Sequence, residues 1–246
     1  MGSGAFIVNN IAPKYNSIWT NVTFETGKEK EFLFNDIPSL VAKTTSSTFR
    51  VSVNFSVSKT ISAIAIINHN IPSGSDIYLK FSNDEFVTTS LVMNLSSSWN
   101  IGNMYALFSP QTYKNFKLAI MGNSGTIQIG EFVIGTKFIP SSNYLWGFKP
   151  IFKVNKDVVE INGQFYEEQI SEQSGFSLNF KNIDKDDYEQ FKNLFRSGHK
   201  IFIPDTEKKD CFHGHIVGNL YTPERFLSGD RFPLEFLENS IVENGQ

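Results

Sequence analysis

From residue 49 to residue 57 apolar and polar positions alternate. Phe49, Val51, Val53, Phe55 and Val57 are apolar, and Arg50, Ser52, Asn54 and Ser56 between them are polar. A period of two is that of a strand with one face on a core and the other toward solvent. Residues 61–67 follow, apolar at nearly every position, which predicts a strand covered on both faces. Asn68-His69-Asn70-Ile71-Pro72-Ser73-Gly74-Ser75 supplies turn chemistry, and alternation resumes over residues 76–81. Further strands are predicted at 90–95, 104–108, 116–120 and 126–133. Short strands separated by Asn, Gly, Ser and Pro clusters read as a β-sandwich. No helical stripe precedes residue 180.

The segment Gly130-Glu131-Phe132-Val133-Ile134-Gly135 runs into Phe138-Ile139-Pro140-Ser141-Ser142-Asn143. It reads as a last strand leaving through a Pro/Ser/Asn connector, which puts a boundary near residue 140 and predicts domains 1–140 and 141–246. In the second part, strands are predicted at 149–154, 158–161 and 175–180. One helix is predicted over residues 184–197. Asp184 is suited to its N-cap, and Asp186 and Asp187 sit where the helix dipole favours negative charge. Tyr188, Phe191 and Phe195 recur at i, i+3 and i+7 with Leu194 beside them, and Gly198 is the expected stop. Strands return at 200–203, 211–217 and 232–237. The expected fold class is mainly β: a sandwich, then a smaller β-rich domain with one α-helix.

Composition sharpens this picture. The 246 residues include 24 Phe against 8 Tyr and 3 Trp, a bias toward purely apolar rings that suits pleated, half-buried surfaces. Net charge is -3, and the basic residues are 18 Lys and 4 Arg. With few Arg for bidentate contacts and no basic excess, a dedicated nucleic-acid reader is disfavoured. The single cysteine, Cys211, excludes an internal disulfide and any zinc site needing several thiolates. No stretch approaches the roughly 18 apolar residues of a membrane span. The N-terminal MGSGAFIVNN lacks the marks of a secretory signal, and Phe6 stands where a myristoylation motif wants Ser or Thr. The expected setting is a soluble chain made in the cytoplasm.

Candidate chemistry is sparse. Cys211, His213 and His215 fall at alternate positions, so one strand face could present them together as metal ligands. The fourth ligand, from His199 or Asp205, has no recognised spacing, and the plainer reading is a half-exposed strand. His69 could serve a site at a strand end. Without a nucleophile motif it reads as a turn histidine bonded to nearby backbone, with Asn70 taking a left-handed conformation. Glu167-Glu168 could belong to a glycosidase pair, while Asp184-Lys185-Asp186-Asp187 lacks the Gly and closing Glu of an EF-hand loop and is better spent starting a helix. Asn21, Asn54 and Asn94 open glycosylation sequons, which a chain rich in Asn, Ser and Thr supplies by chance. Trp19, Trp99 and Trp146, with Tyr105 and Tyr144, could stack on sugar rings; the alternative is core packing. No catalytic, cofactor-binding or metal-binding residue is assigned.

Two segments carry a resemblance. Residues 64–79, in which an apolar strand ends in His69-Asn70 before a small Ser/Gly turn, resemble a stretch in galactose-binding-like (discoidin-type) jelly-roll domains of bacteriophage tail proteins. Residues 129–135, with Phe138, Pro140, Asn143 and Trp146-Gly147 behind them, resemble the closing strand and exit of the same domain. The remainder, through the helix to 201–205 and 232–237, is similar to the small β-rich domain that follows in these minor tail proteins. The resemblance implies a non-enzymatic structural component of a viral tail, at the tip, baseplate or tube. Its partners would be other virion proteins and copies of itself in a ring, with no nucleic acid and no membrane span. Its location would be the virion tail after synthesis in the host cytoplasm. Glu131 stands where that family often has Arg, which implies a reversed charge toward a neighbouring subunit. The alternative reading is a carbohydrate-binding module recognising host surface glycans; a hydrolase built on separate carboxylates is a third.

Overall fold

Several of the strands expected separately are continuous. In the computed structural model, which describes residues 3–8, 18–122, 124–142, 149–161, 164–181, 183–196, 200–217 and 231–238, the alternating stretch and the apolar run form one strand. The elements are β1 (Ala5–Val8), β2 (Ile18–Trp19), β3 (Ala42–Lys43), β4 (Thr48–His69), β5 (Asp76–Ser82), β6 (Leu91–Asn94), β7 (Gly102–Met121) and β8 (Gln128–Phe138). They continue with β9 (Lys149–Ile161), β10 (Gln164–Lys181), α1 (Lys185–Arg196), β11 (Lys200–Ile203), β12 (Phe212–Val217) and β13 (Arg231–Glu238). The protein is mainly β, antiparallel in every described pairing of these strands, with one α-helix among the described residues.

The chain divides into two compact units, the first made of the described parts of Met1–Ile139 with Ile201–Phe212, the second of those of Pro140–Lys200 with His213–Val242. In the first unit the strand order is β6-β5-β7-β4-β8-β1-β11, with β2 on β4 and β3 on β8. Strands β4 and β7 pair along most of their length, but the register skips from Asn54↔Asn115 to Lys59↔Tyr113. The extra residues on β4 bend the pair, and both halves of the strand then feed one core. Phe49, Val51 and Val53 from the first half join Ile61, Ile64 and Ile66 from the second in one buried cluster. Long strands that turn a corner at a bulge are how two layers of a sandwich are made from one ribbon.

The apolar run is covered on both faces, as its composition requires. Ile64 and Ile66 enter the main core, while Ala63, Ala65 and Ile67 enter a second cluster with Ala5, Ile7, Ile201, Ile203 and Cys211. Six phenylalanines, Phe6, Phe49, Phe81, Phe116, Phe132 and Phe202, are fully buried in this unit. Each fully buried ring contributes about 1.5–3 kcal/mol relative to exposure.

The alternation of residues 49–57 is only partly kept. Val57 is 57% exposed because it lies on the bulge, and Ser52 is buried although polar. Glu131 also corrects an expectation. It is buried at 0% exposure, so its charge faces no neighbouring subunit. The two glycines around it are set by close backbone approach: a Cβ on Gly130 would lie 2.1 Å from the Pro38 carbonyl oxygen, and one on Gly135 2.3 Å from that of Val8.

In the second unit β9, β10, β13 and β12 are neighbours in that order. Helix α1 begins as its sequence dictates, with the Asp187 N–H donating to Asp184 Oδ1 at 2.8 Å. Its buried side includes Tyr188, Phe191 and Leu194, and Phe191 meets the Phe180 ring at 4.8 Å between centroids. Phe195 is half-buried.

Candidate functional site

The corner in β4 leaves a cleft at one end of the first unit. An open pocket of about 420 Å³ is lined by Asn54 and Phe55 from the bulge, Asn83, Asp84 and Glu85 from the loop after β5, and Asn115 from β7. The loop is held by short polar bonds. The Ser82 hydroxyl donates to Asp84 Oδ1 at 2.5 Å and accepts from the backbone N–H groups of Asp84 and Phe86 at 3.1 Å each. The N–H and hydroxyl of Thr88 close on the same carboxylate. Hydrogen bonds from Ser82 first, then Thr88, hold the Asp84 carboxyl below its ordinary pKa.

Across the cleft, Asn54 Nδ2 donates to Glu85 Oε1 at 2.9 Å, and the Lys114 N–H donates to Asn83 Oδ1 at 3.1 Å. Glu85 and Phe86 have φ of 58° and 68°, a left-handed pair that few non-glycine residues adopt. The floor residue, Asn115, is 1% exposed. Its Nδ2 donates to the Ser82 carbonyl at 3.4 Å, whereas its buried Oδ1 accepts no hydrogen bond. A buried acceptor left unmade costs about 1–3 kcal/mol.

Most residues singled out from the sequence lie elsewhere and have structural work. His69 is buried at the end of β4, where its Nδ1 accepts from the Ile71 N–H at 3.2 Å. Burial pushes its pKa down to about 4, opposed by the backbone of Asn100. The left-handed residue of this turn is Asn68, at φ 51°, and not Asn70. Asn70 instead clamps β8, with its Oδ1 accepting from the Gln128 N–H at 2.7 Å and its Nδ2 donating to the Thr126 carbonyl at 3.0 Å.

Cys211 is buried in the apolar cluster with Ala5, Ile7 and Ile201, which assigns it to packing. His213 is buried and His215 half-buried on β12; Asp205 accepts from the Glu207 N–H at 3.0 Å, and His199 lies outside the described residues. Glu167 and Glu168 sit in β10 opposite Val158 and Asp157 of β9, and Asp184 caps α1.

Of the aromatic set, the described side chains of Trp99 and Tyr105 have structural partners. Trp99 Nε1 donates to the Ile71 carbonyl at 2.9 Å with its ring against the core. Tyr105 is buried, and its hydroxyl donates within the first unit to the Lys208 carbonyl at 2.5 Å. Trp19 lies in β2 opposite Ser52, and Trp146 and Tyr144 fall outside the described residues. Of the sequon residues, Asn54 alone joins the cleft. Asn115 drew no attention in the sequence, because a polar residue just before an apolar strand is ordinary. Its role depends on which strand residue the bulge sets opposite it.

No protein-family model matches the chain, and no curated protein matches it. Solved structures do show likeness. The chitosan-binding module 1 derived from the chitosanase/glucanase of Paenibacillus sp. IK-5 is 16% identical, with 52% of this chain and 98% of that one covered and a TM-score of 0.43. The lectin domain of lectinolysin, complexed with Lewis B antigen, is 11% identical over 53% of this chain and 98% of its own, with a TM-score of 0.44. A Streptococcus pneumoniae fucose binding module is 13% identical over 52% and 97%, with a TM-score of 0.42.

Proposed function

We propose that the first unit is a non-catalytic carbohydrate-binding module whose site is the cleft at the β4 corner. The observation that carries this reading is the open polar cleft of about 420 Å³ in which Asn54, Asn83, Asp84 and Glu85 converge beside Phe55. A saccharide hydroxyl is a donor and an acceptor on one atom. Neighbouring hydroxyls of one sugar can therefore meet both the acceptors Asp84 and Glu85 and the amides of Asn54 and Asn83. Phe55 adds one apolar wall, half-buried and edge-on to Phe116 at 5.5 Å, against which the C–H face of a sugar can rest. Ligand sites commonly join a few convergent polar groups to such a wall.

The test is a glycan array with the full chain, followed by calorimetric titration of the sugars that bind. Removing one rim contact by Asn54→Ala or Glu85→Ala is expected to weaken binding about tenfold, the effect of one hydrogen bond, while costing the fold no more than about 1 kcal/mol through the lost Asn54–Glu85 bond. Asn115→Asp keeps the shape of the floor and serves as the second variant. No binding at millimolar sugar, or binding that ignores the rim variants, would count against the reading.

A second reading, a structural subunit of a phage tail, is favoured by one observation in the other unit. Strands β9 and β10 pair from Gln164↔Ile161 to Ser177↔Lys149, but β13 joins β10 only from Gly175 onward. Among the described pairings the far part of this hairpin is therefore a two-stranded ribbon with open edges. Such a ribbon is marginal in water alone and offers strand edges to a partner. Phe152, near its base, is 66% exposed. The tail role, assembly into a ring and location in a virion rest on the sequence resemblance with this ribbon in support. The two readings are compatible, since a tail subunit can carry a glycan-binding unit. A chain that stays monomeric at high concentration and never labels on virions would remove the second.

A further inference from the structure

We propose that Thr88, which lies outside the walls of the cleft, is a positioning residue for its saccharide. With Ser82 it locks Asp84, and the locked loop holds Glu85 in a left-handed conformation that presets its carboxylate at the rim. The inference rests on the carbohydrate reading above and assigns what shapes that site before a sugar arrives.

Residue chemistry dictates the lock. Ser82-Asn83-Asp84-Glu85-Phe86-Val87-Thr88 sets hydroxyls two positions before and four after one carboxylate, within reach of local side-chain bonds. The Thr88 N–H donates to both Asp84 oxygens at 3.1 Å each, and its hydroxyl donates to Oδ2 at 2.6 Å. From the other side the fully buried Ser82 donates its hydroxyl to Oδ1 and accepts the N–H groups of Asp84 and Phe86. The Val87 N–H closes on the Asp84 carbonyl at 3.1 Å, and the Ser90 N–H ties the chain back to Phe81 of β5 at 2.9 Å. The bonds from Ser82 and Thr88 keep the Asp84 carboxyl below its ordinary pKa, so the acceptor of the lock stays ionised.

Inside the lock Glu85 and Phe86 sit at φ of 58° and 68°. Glycine adopts such angles without steric cost, whereas both of these residues carry a Cβ and are strained there. Strain of this kind persists where surrounding bonds over-determine the backbone, and here the Ser82 and Thr88 bonds do so. Its result is seen across the cleft. Glu85 is exposed, and its Oε1 accepts from Asn54 Nδ2 at 2.9 Å, which leaves Oε2 for a sugar hydroxyl. Asn83 of the same loop is pinned through Oδ1 by the Lys114 N–H at 3.1 Å, which leaves its amide N–H groups for the same ligand. A rim fixed in advance loses less freedom on binding. Glycine at position 85 would relieve the strain and delete the contact together, so strain and binding can be separated by experiment.

The experiment titrates the full chain calorimetrically with the methyl glycosides of galactose, glucose, mannose, fucose and N-acetylglucosamine to millimolar concentration, and follows urea unfolding of each variant. Thr88→Val keeps the side chain's shape and removes its hydroxyl; it is expected to raise the Kd of the sugars that bind about tenfold. Thr88→Ser keeps both bonds and is expected to bind within about twofold of the native chain. In a Glu85→Ala background Thr88→Val is expected to leave Kd unchanged while still lowering the urea midpoint, because its effect on binding runs through Glu85. Glu85→Gly is expected to weaken binding as Glu85→Ala does. A native Kd in Thr88→Val or in Glu85→Gly, with binding weakened by Asn54→Ala, overturns this inference and leaves the cleft reading standing. A loss in Thr88→Val that Thr88→Ser does not restore, or that is as large without Glu85, makes Thr88 a residue of the fold alone and overturns it too. No binding of any of the five sugars, or binding that neither Thr88→Val nor Asn54→Ala weakens, overturns both.

Discussion

The Tyr105 hydroxyl donates to the carbonyl of Lys208 at 2.5 Å, spanning 103 positions of the chain. It also reaches the carbonyls of Asp205 and Thr206 at 3.4 and 3.3 Å. This one phenol on β7 therefore gathers the turn after β11, and Asn103 Nδ2 adds a bond to the Cys211 carbonyl at 3.2 Å. Burial first, then the charges near it, push the phenol up to about 12, so it stays a donor throughout the physiological range. Tyr105→Phe keeps the ring and removes the donor. The expected loss is about 1–2 kcal/mol in urea unfolding, with faster hydrogen exchange confined to residues 205–211. An unchanged midpoint and unchanged exchange there would show that the turn is held by its other bonds.

His69 gives stability an acid limb. Its folded pKa, about 4, lies below the ordinary value of 6.5, and desolvation is the main cause. Between those values the unfolded chain binds a proton that the folded one refuses, so stability is full above pH 6.5 and falls as pH drops toward 4. A shift of that size corresponds to about 3 kcal/mol. His69→Gln is expected to flatten the fall of melting temperature between pH 6.5 and 4 relative to the native chain, while at pH 7 the two differ little. Parallel pH curves for the two proteins would remove His69 as the cause.

How far the sequence could be read varies with the range of the interaction that decides each feature. The alternation over Phe49, Val51 and Val53, the two-faced run ending at Ile67 and the capped helix at Asp184 depend on near neighbours, and each appears where the local pattern puts it. The joining of two predicted strands into β4, and of two more into β7, was not legible, because the mostly polar residues 56–60 resemble a turn as much as a bulge. The cleft around Asn115 was hidden for a related reason. Asn54 and Asn115 lie on different strands far apart in the chain, and only register makes them neighbours. That the Trp99 N–H bonds the Ile71 carbonyl, 28 positions away, is likewise a demand no single-residue pattern announces.

The glycines around Glu131 provide a steric test. Gly130→Ala would drive a methyl to within 2.1 Å of the Pro38 carbonyl oxygen and 3.0 Å of the Asn68 Cβ. Because the first obstacle is backbone, relief requires moving the segment before β3 away from β8. Overpacking of this kind costs about 1–3 kcal/mol or more. Gly125→Ala is the contrast: there φ is +68° but nothing lies within 4 Å of the added carbon, so only the conformational penalty of about 1 kcal/mol applies. Thermal melts of both variants are expected to rank Gly130→Ala clearly lower, and the reverse order would mean that β8 can shift freely.

Asp187 supplies a test in the second unit. The residue is buried in the first turn of α1, where its Oδ2 accepts from both the Ser141 N–H at 2.7 Å and the Ser141 hydroxyl at 2.6 Å. One carboxylate thereby fastens the connector to the helix start, and its charge also suits the positive end of the helix dipole. Asp187→Ala removes both acceptors and strands a backbone donor, an expected cost of about 2–4 kcal/mol. Ser141→Ala removes only the hydroxyl bond and is expected to cost about 1 kcal/mol. Asp184→Ala, which deletes the N-cap acceptor, is expected to cost a similar amount through helix fraying. If Asp187 acts through Ser141, the double variant Asp187→Ala/Ser141→Ala will be less destabilised than the sum of the two single changes in urea titration. Simple additivity would mean that the carboxylate acts on the helix dipole alone.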